Sequence, residues 1–551
     1  MSLRIVLHRI RELAPRSSDW RHLRVGRDLT AGVLVALVAL PLALGFGVSS
    51  GMGAAAGLVT AIVAGVVAAV FGGSRVQVSG PTGAMTVVLV PIVAAHGASG
   101  VLVVGLIAGL ILIGLGATGA GRFMRYVPVP VVEGFTVGIA LVIGLQQVPT
   151  ALGVDVHAEK VLPLVADAVR AWLSDPHWTA PAIAIGVAVG MVVVARVRSA
   201  IPAALLAVVV ATAGNHFLDW GAATIGAIPR GLPGPSLPRV PFADLDSLLL
   251  PAVAVAALAA LESLLSATVA DAMTVGEQHD PDRELVGQGL ANLAAPVFGG
   301  IPATAAIART AVNVRSGAGS RLAAVTHAVV LLGMVLVLAP WVEQIPLAAL
   351  AGVLIATAVR MVEVSSLTAM LRATRGDAAA LVATAAATVV FDLVLAVLIG
   401  LVVAGFFALQ QTARTARLDQ VPLDESDHVD EERRLLDEHI VAYRIDGPLF
   451  FAAAHDFLLE LADVHRVRVV VLRMSRVTTV DATGARVLAE TIAGLERRGI
   501  RVLVSGVQPQ HERVLRELRV HDQLAHEQHL FATTPEAIAH ARLLAAEPGG
   551  P

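Results

Sequence analysis

The chain has 551 residues, 56% of them hydrophobic and 15% charged, with a formal net charge of −3 and a mean hydropathy of +0.76. These values exclude an ordinary soluble globular protein and put most of the chain in lipid. Cysteine is absent, which excludes disulfides and thiolate chemistry.

Residues 1–28 (MSLRIVLHRIRELAPRSSDWRHLRVGRD) are basic and partly amphipathic, without the apolar region and small-residue cleavage site of a secretory signal. They are expected to be a cytoplasmic lead-in. From residue 29 to residue 412 apolar runs follow one another, most of them about 15 to 22 residues and so long enough, or nearly so, to cross a ~30 Å hydrocarbon core. Breakers divide this region into fourteen predicted spans, roughly 29–48, 53–72, 81–95, 100–119, 128–148, 179–196, 200–214, 247–274, 284–299, 302–316, 321–340, 344–362, 378–394 and 395–412. Arginines cluster before the first span (Arg4 to Arg27) and after the fourth (Arg122, Arg125), sixth (Arg196, Arg198), eighth (Arg283), tenth (Arg315, Arg321), twelfth (Arg372, Arg375) and fourteenth (Arg414, Arg417). Cytoplasmic loops are the arginine-rich ones, so both termini are expected in the cytoplasm, with the protein in a cell (plasma or inner) membrane.

Two segments interrupt this pattern. VQVSGPTGAMTVVLVPIVAA from Val76 and VFGGIPATAAIARTAVNVRSGAG from Val297 are Gly-rich, break at Pro81 and Pro302, and continue as helices too short for comfortable crossing. Each proline suits the first turn of a helix, where the missing N–H costs nothing. Pro81 lies 52 residues after Leu29, and Pro302 55 after Ser247, at the starts of the first and eighth spans. Interrupted segments at equivalent places in two halves point to an inverted-repeat transporter with its site near the bilayer midplane. Two half-helix N-termini facing each other there would suit an anion. Thr82, Gly83 and Ala84 at the first tip, and Ala303, Thr304 and Ala305 at the second, are the candidates to offer N–H groups and hydroxyls. Small residues at such places also permit close helix packing.

Between them, in the apolar stretch LAALESLLSATVAD, stands Glu262. An ionisable side chain inside a span is expensive and marks an ion or substrate path. Ser266 is one turn on, at the i, i+4 spacing that shares a face. Glu262 could take a proton as the anion arrives, so that the pair moves without net buried charge. The other reading is that it pairs with Arg309 and only holds helices together. Arg309 would add positive potential beneath the pocket or snorkel towards the cytoplasm. Asp271, Glu277, His279, Asp280 and Asp282 cluster after the eighth span, but without metal-type spacing they are expected to be a solvated loop, and no metal is expected.

After residue 412 the composition changes. Residues 413–438 form a charged stretch, expected to be a linker. Residues 439–545 alternate strand (IVAYRIDG), helix (AAHDFLLELADV), strand (VRVVVLRMS), helix (ATGARVLAETIAGLERRG) and strand (IRVLVSGV), with two more helical stretches, as in a small α/β domain. Residues 546–551 are a tail. Asp481, before Ala-Thr-Gly, suits a helix cap.

Taken together, SGPTGAMTVVLVP, ALESLLSATVAD, ELVGQGLANLAAPVFGGIPATAAIARTAVNVRSGAGS and the C-terminal domain resemble the SulP anion permease family, in order and over nearly the whole chain. The resemblance implies two inverted repeats of seven spans, similar to the uracil permeases, with a core domain moving against a gate domain. It also implies a homodimer and a cytoplasmic STAS domain. Thr483 then aligns with the phosphorylatable serine of bacterial anti-sigma-factor antagonists, and a cytosolic protein partner of the STAS domain is expected. Members carry sulfate, bicarbonate, chloride, oxalate or C4-dicarboxylates, and an acidic residue on the helix of Glu262 stands beside the anion pocket. The sodium-coupled bicarbonate carriers are similar but have aspartate and threonine where Glu262 and Ser266 stand, and a Gly/Ala-rich, Thr-containing run in place of PATAAIAR. The expected function is therefore secondary active transport of a small inorganic or organic anion (bicarbonate, sulfate or a C4-dicarboxylate), proton-coupled, by an elevator-like movement. The alternatives are sodium-coupled bicarbonate symport, and a passive channel or exchanger with a STAS scaffold role. No enzymatic activity, cofactor or nucleic-acid partner is expected.

Overall fold

With no water inside a bilayer to satisfy backbone groups, apolar runs become helices, and the fourteen predicted spans overlap thirteen helices, the third and fourth sharing one. The computed structural model describes residues 15–20, 23–122, 127–156, 158, 160–197, 202–238, 245–274, 278–391, 393–414, 417–420, 435, 438–450, 467–526 and 529–546. It divides into two units, residues 1–404 and 405–551.

In the first unit the elements run α1 (Val25–Ser49), α2 (Ala54–Phe71), β1 (Ser79–Gly80), α3 (Gly83–Thr118), α4 (Val129–Gln146), α5 (Val148–Leu152), α6 (Val161–Ser174), α7 (Thr179–Val197) and α8 (Ala203–Phe217). The second set follows as α9 (Leu245–Met273), α10 (Pro281–Val297), β2 (Thr304–Ala305), α11 (Ile307–Arg315), α12 (Arg321–Val342), α13 (Leu347–Met361), α14 (Val364–Ala373), α15 (Arg375–Val390) and α16 (Leu393–Arg414), the last running into the second unit. Helix α3 covers the third and fourth predicted spans and breaks between them at Gly97, φ +64°. Two short amphipathic helices, α6 and α14, fall outside the predicted spans. Among the described residues nine helices are long and apolar enough to cross a membrane.

The helices pack in two groups. Helix α3 lies against α10 and α9, α2 against α10, and α12 against α1 and α2. In the other group α4 lies against α15 and α13, and α7 against α13 and α8. Small residues bring backbones close within the first group: a β-carbon on Gly109 or Gly289 would stand 2.7 Å from the other's carbonyl oxygen, so α3 and α10 touch backbone to backbone. Ahead of the spans, Asp19 accepts a 2.6 Å hydrogen bond from Arg283 at the start of α10. Burial alone would raise the Asp19 pKa, but that bond and charge, the Arg16 N–H and the Arg321 charge hold it at about 2.

The second unit is an α/β domain whose main sheet runs β3-β4-β5-β7-β8, with β6 also paired to β4. The strands are β3 (Arg417–Gln420), β4 (Ile440–Leu449), β5 (Val469–Arg473), β6 (Val477–Val480), β7 (Arg501–Ser505) and β8 (Leu530–Phe531). Only β3 is antiparallel to its neighbour. Helix α17 (Ala482–Arg497) belongs to one apolar core with Val470, Leu472 and Val502. Helix α19 (Thr534–Ala546) belongs to another with Val469, Val471 and Leu503. Helix α18 (Pro509–Glu517) lies between them in the chain. Residues 417–420 were expected in the linker 413–438; they form a strand because β4 offers them an open edge to pair with. The helix expected in AAHDFLLELADV lies outside the described residues.

Candidate anion and coupling site

The two interrupted segments meet. Strand β1 pairs antiparallel with β2, Ser79 opposite Ala305 and Gly80 opposite Thr304, and the Ala306 N–H donates to the Val78 carbonyl (3.0 Å). Helix α3 leaves this crossing after β1, and helix α11 after β2. Each begins later than its proline suggested. Pro81 precedes the cap residue Thr82, and α11 starts at Ile307, five residues beyond the expected start at Pro302. The cause is that residues 301–306 are extended and held sideways by three helices. Thr60 receives the Ile301 N–H (2.7 Å) and donates to its carbonyl (3.0 Å). The Asn292 amide pairs with Ala303 in both directions, at 2.8 Å each, and Ser263 Oγ accepts from the Ala305 N–H (3.2 Å). The N–H groups of Ala303 and Ala305, expected to face an oxyanion, are thus spent on protein partners, as buried backbone donors must be.

Glu262 sits on α9, half-buried, beside the first tip. The Thr82 hydroxyl donates to Glu262 Oε2 (2.9 Å) and accepts from the Met85 N–H in the first turn of α3 (3.4 Å). One hydroxyl can do both, so the helix cap and the carboxylate are mechanically tied. Gly83 and Ala84 begin the helix directly after it, Ala84 being 1% exposed. Thr304 also lies within hydrogen-bonding reach of the carboxylate, and Arg309 within reach of its charge.

Arg309 is in the first turn of α11 and is 1% exposed, so it does not snorkel. Its Nη2 donates to the Pro81 carbonyl (2.6 Å) rather than to Glu262, and its Nη1 is buried with no hydrogen-bond partner. Gly80 makes room for it. At φ +156°, a β-carbon there would stand 2.5 Å from Nη1. A guanidinium with a free donor under two helix N-termini, one of them (α11) without a side-chain cap, is a concentrated positive region next to a carboxylate. Ser266 is buried and turned elsewhere: its hydroxyl donates to Thr310 Oγ1 (3.2 Å), which also accepts the Val78 N–H (3.1 Å). It supports the crossing and makes no bond to Glu262.

Further polar residues, which the sequence alone did not single out, build the crossing. Gln288 Nε2 donates to Ser79 Oγ (2.6 Å) and Glu284 Oε1 (2.9 Å), and Gln77 Nε2 to the Ser263 carbonyl (2.8 Å). His327 on α12 is fully buried within reach of the Arg309 charge. Polar residues inside apolar helices were the available signal.

The charged loop after α9 is local structure. Asp271 accepts from His279 Nδ1 (2.7 Å), Asp280 caps α10, and Asp282 accepts from the Gly121 N–H (3.0 Å). Glu277 lies outside the described residues. Among the described residues no group of three or more potential ligands could hold a metal. In the second unit Asp481 caps α17, accepting from the Gly484 N–H (2.7 Å), and Thr483 is exposed in its first turn.

A half-helix crossing with a buried arginine and a carboxylate beside it defines a helical membrane transporter core, here joined to an α/β domain. The sulfate permease family model matches residues 26–384 and the STAS domain model residues 435–537. The chain belongs to the sulfate permease family of membrane anion transporters and carries a C-terminal STAS domain. It is 36% identical over 515 residues to a protein of Bacillus subtilis (strain 168) named "Putative sulfate transporter YvdB", covering 92% of this chain and 96% of that one. The transmembrane domain of the bicarbonate transporter BicA of a cyanobacterium is 31% identical, with a TM-score of 0.61 over 70% of this chain and 98% of that one. The murine anion transporter Slc26a9 in its inward-facing state matches with a TM-score of 0.82 at 18% identity, over 97% of this chain and 94% of that one, a likeness of fold.

Proposed function

We propose that the protein is a proton-coupled secondary active transporter of a small oxyanion, sulfate or bicarbonate. The observation that carries this is the arrangement at the crossing: Arg309, buried with a free donor beneath the half-helix tips, and Glu262 bonded to the cap of the first. An anion is attracted by the guanidinium and the helix N-termini. Its entry next to an ionised Glu262 would place like charges together, so a proton on Glu262 accompanies it. The relatives named as sulfate and bicarbonate transporters support the two substrates. Movement of the α1–α3 and α9–α12 group against the α4, α7, α8, α13 and α15 group would carry the site from one face to the other, in a homodimer with both termini cytoplasmic. No covalent bond is made or broken.

Proteoliposomes containing the purified protein test the substrate. Labelled sulfate, bicarbonate and fumarate are offered under an inward proton gradient, an inward sodium gradient or neither. Accumulation of sulfate or bicarbonate above equilibrium with the proton gradient alone is expected. Accumulation driven only by sodium, or none with either gradient, contradicts the proposal.

A further inference from the structure

We propose that Ile143 sets the upper size of the transported anion, restricting the site to oxyanions built on one central atom and excluding C4-dicarboxylates; this rests on the reading of the half-helix tip as the anion site. Gly83 is the first residue of α3, next to the Thr82 that holds Glu262. A β-carbon on Gly83 would stand 2.1 Å from Ile143 Cδ1, 3.0 Å from its Cγ1 and 3.2 Å from Phe46 Cε1. Ile143 and Phe46 are 3% and 6% exposed, so the tip meets a closed apolar wall on this side.

The wall and the polar groups divide the tip. The polar groups next to the tip are Thr82, bonded to Glu262, and Arg309, bonded to the Pro81 carbonyl. The atoms that a Gly83 β-carbon would meet are those of a sec-butyl side chain and a phenyl ring, neither of which can pair an oxygen. A one-centre oxyanion can turn all its oxygens towards the polar side. A C4-dicarboxylate has a second carboxylate several bonds away, which would be stripped of water against Ile143 and Phe46 without a partner, and that is strongly unfavourable. Ile143 is carried by α4, whose main neighbours are α15 and α13, whereas the tip belongs to the group of α3, α9 and α10. A displacement of one group against the other therefore withdraws the wall, so the same side chain that limits size also covers the site.

Counterflow in proteoliposomes loaded with unlabelled sulfate or bicarbonate tests this without any ion gradient, and so does not depend on how Glu262 is coupled. In the unchanged protein, fumarate and succinate in about tenfold excess should leave labelled-anion entry within about twofold, while sulfate and bicarbonate suppress it. In Ile143→Ala the two dicarboxylates should suppress entry by about fivefold or more, and labelled fumarate should itself enter. Gly83→Ala should lower counterflow by about fivefold, because its methyl meets Ile143, and Ile143→Ala should restore it to within about twofold. Ile143→Val, which removes one methylene, should fall between, and gel filtration with a thermal scan shows that each variant is folded. The size limit is overturned if fumarate competes in the unchanged protein, if folded Ile143→Ala keeps the original competition profile, or if the Gly83→Ala deficit persists in the double variant. If the unchanged protein gives no counterflow with sulfate or bicarbonate, the reading of the tip as an anion site fails and the size limit with it.

Discussion

The two half-helix tips look alike in sequence and differ in the structure. The first is capped by Thr82, which reaches Glu262. The second has no side-chain cap, and the extended residues before it are held by Thr60, Asn292 and Ser263 from three helices. One tip is capped by a side chain that also bonds a carboxylate, and the other is held through its backbone. A repeated motif therefore need not be built the same way twice: under the proposed mechanism the first half would contribute the contact that changes, the second the frame and, through Arg309, the positive charge.

Substitutions test this contrast directly. The largest effect is expected from Arg309→Met, which removes the charge under both tips. Losing a buried charged donor costs about 2–5 kcal/mol, so anion affinity should fall by about thirtyfold or more in binding or uptake assays, with Arg309→Lys recovering part of it. Next is the frame. Asn292→Ala leaves the Ala303 N–H and carbonyl buried without the amide, at about 2–3 kcal/mol, read as a lower unfolding temperature of the membrane unit. Thr82→Val at the responsive tip should do the opposite, lowering gradient-driven uptake by about fivefold while stability changes by about 1 kcal/mol. If Asn292→Ala lowers uptake without lowering stability, the distinction between the tips is wrong. The smallest effect is expected at Ser266→Ala, which removes one hydroxyl bond to Thr310, about 1 kcal/mol, and should leave substrate affinity unchanged.

Acidification needs separating from all of these, because the STAS domain has its own response. Burial, then the nearby charges of His540, Arg501 and His526, hold the His529 imidazole below its usual value. A base depressed in the folded state binds protons more readily when unfolded, so its neutral form supports the fold above about pH 6.5 and that support is lost as pH falls through the folded value. The unfolding transition of the second unit should drop as pH falls below about 6.5, and His540→Gln should lessen the drop. No change in that transition over this range would contradict the placement of His529.

Helices were legible because apolar runs of span length have one outcome in a bilayer. Glu262 and Arg309 were legible because charge inside such a run is conspicuous. The crossing was less so. Strands of two residues carry no periodicity, and Pro302 resembled a helix start because nothing in its neighbourhood announces Thr60 or Asn292, the first of them 241 residues from its partner Ile301. Ser266 matched Glu262 in spacing, yet Thr310 competes for its hydroxyl from another helix. Ile143 was invisible, being one branched aliphatic residue among many; only its approach to Gly83 distinguishes it.

The central claim is that Glu262 carries the coupling proton. Accumulation of labelled sulfate or bicarbonate by proteoliposomes under an inward proton gradient, compared with gradient-free counterflow of the same anion, tests it in Glu262→Gln, which keeps an acceptor oxygen for Thr82. The variant should lose accumulation by about tenfold or more and retain counterflow, since it can bind the anion but no longer gain or release a proton. A variant that still concentrates the anion against its gradient as the unchanged protein does would contradict it and leave Glu262 as a structural partner of the helix cap.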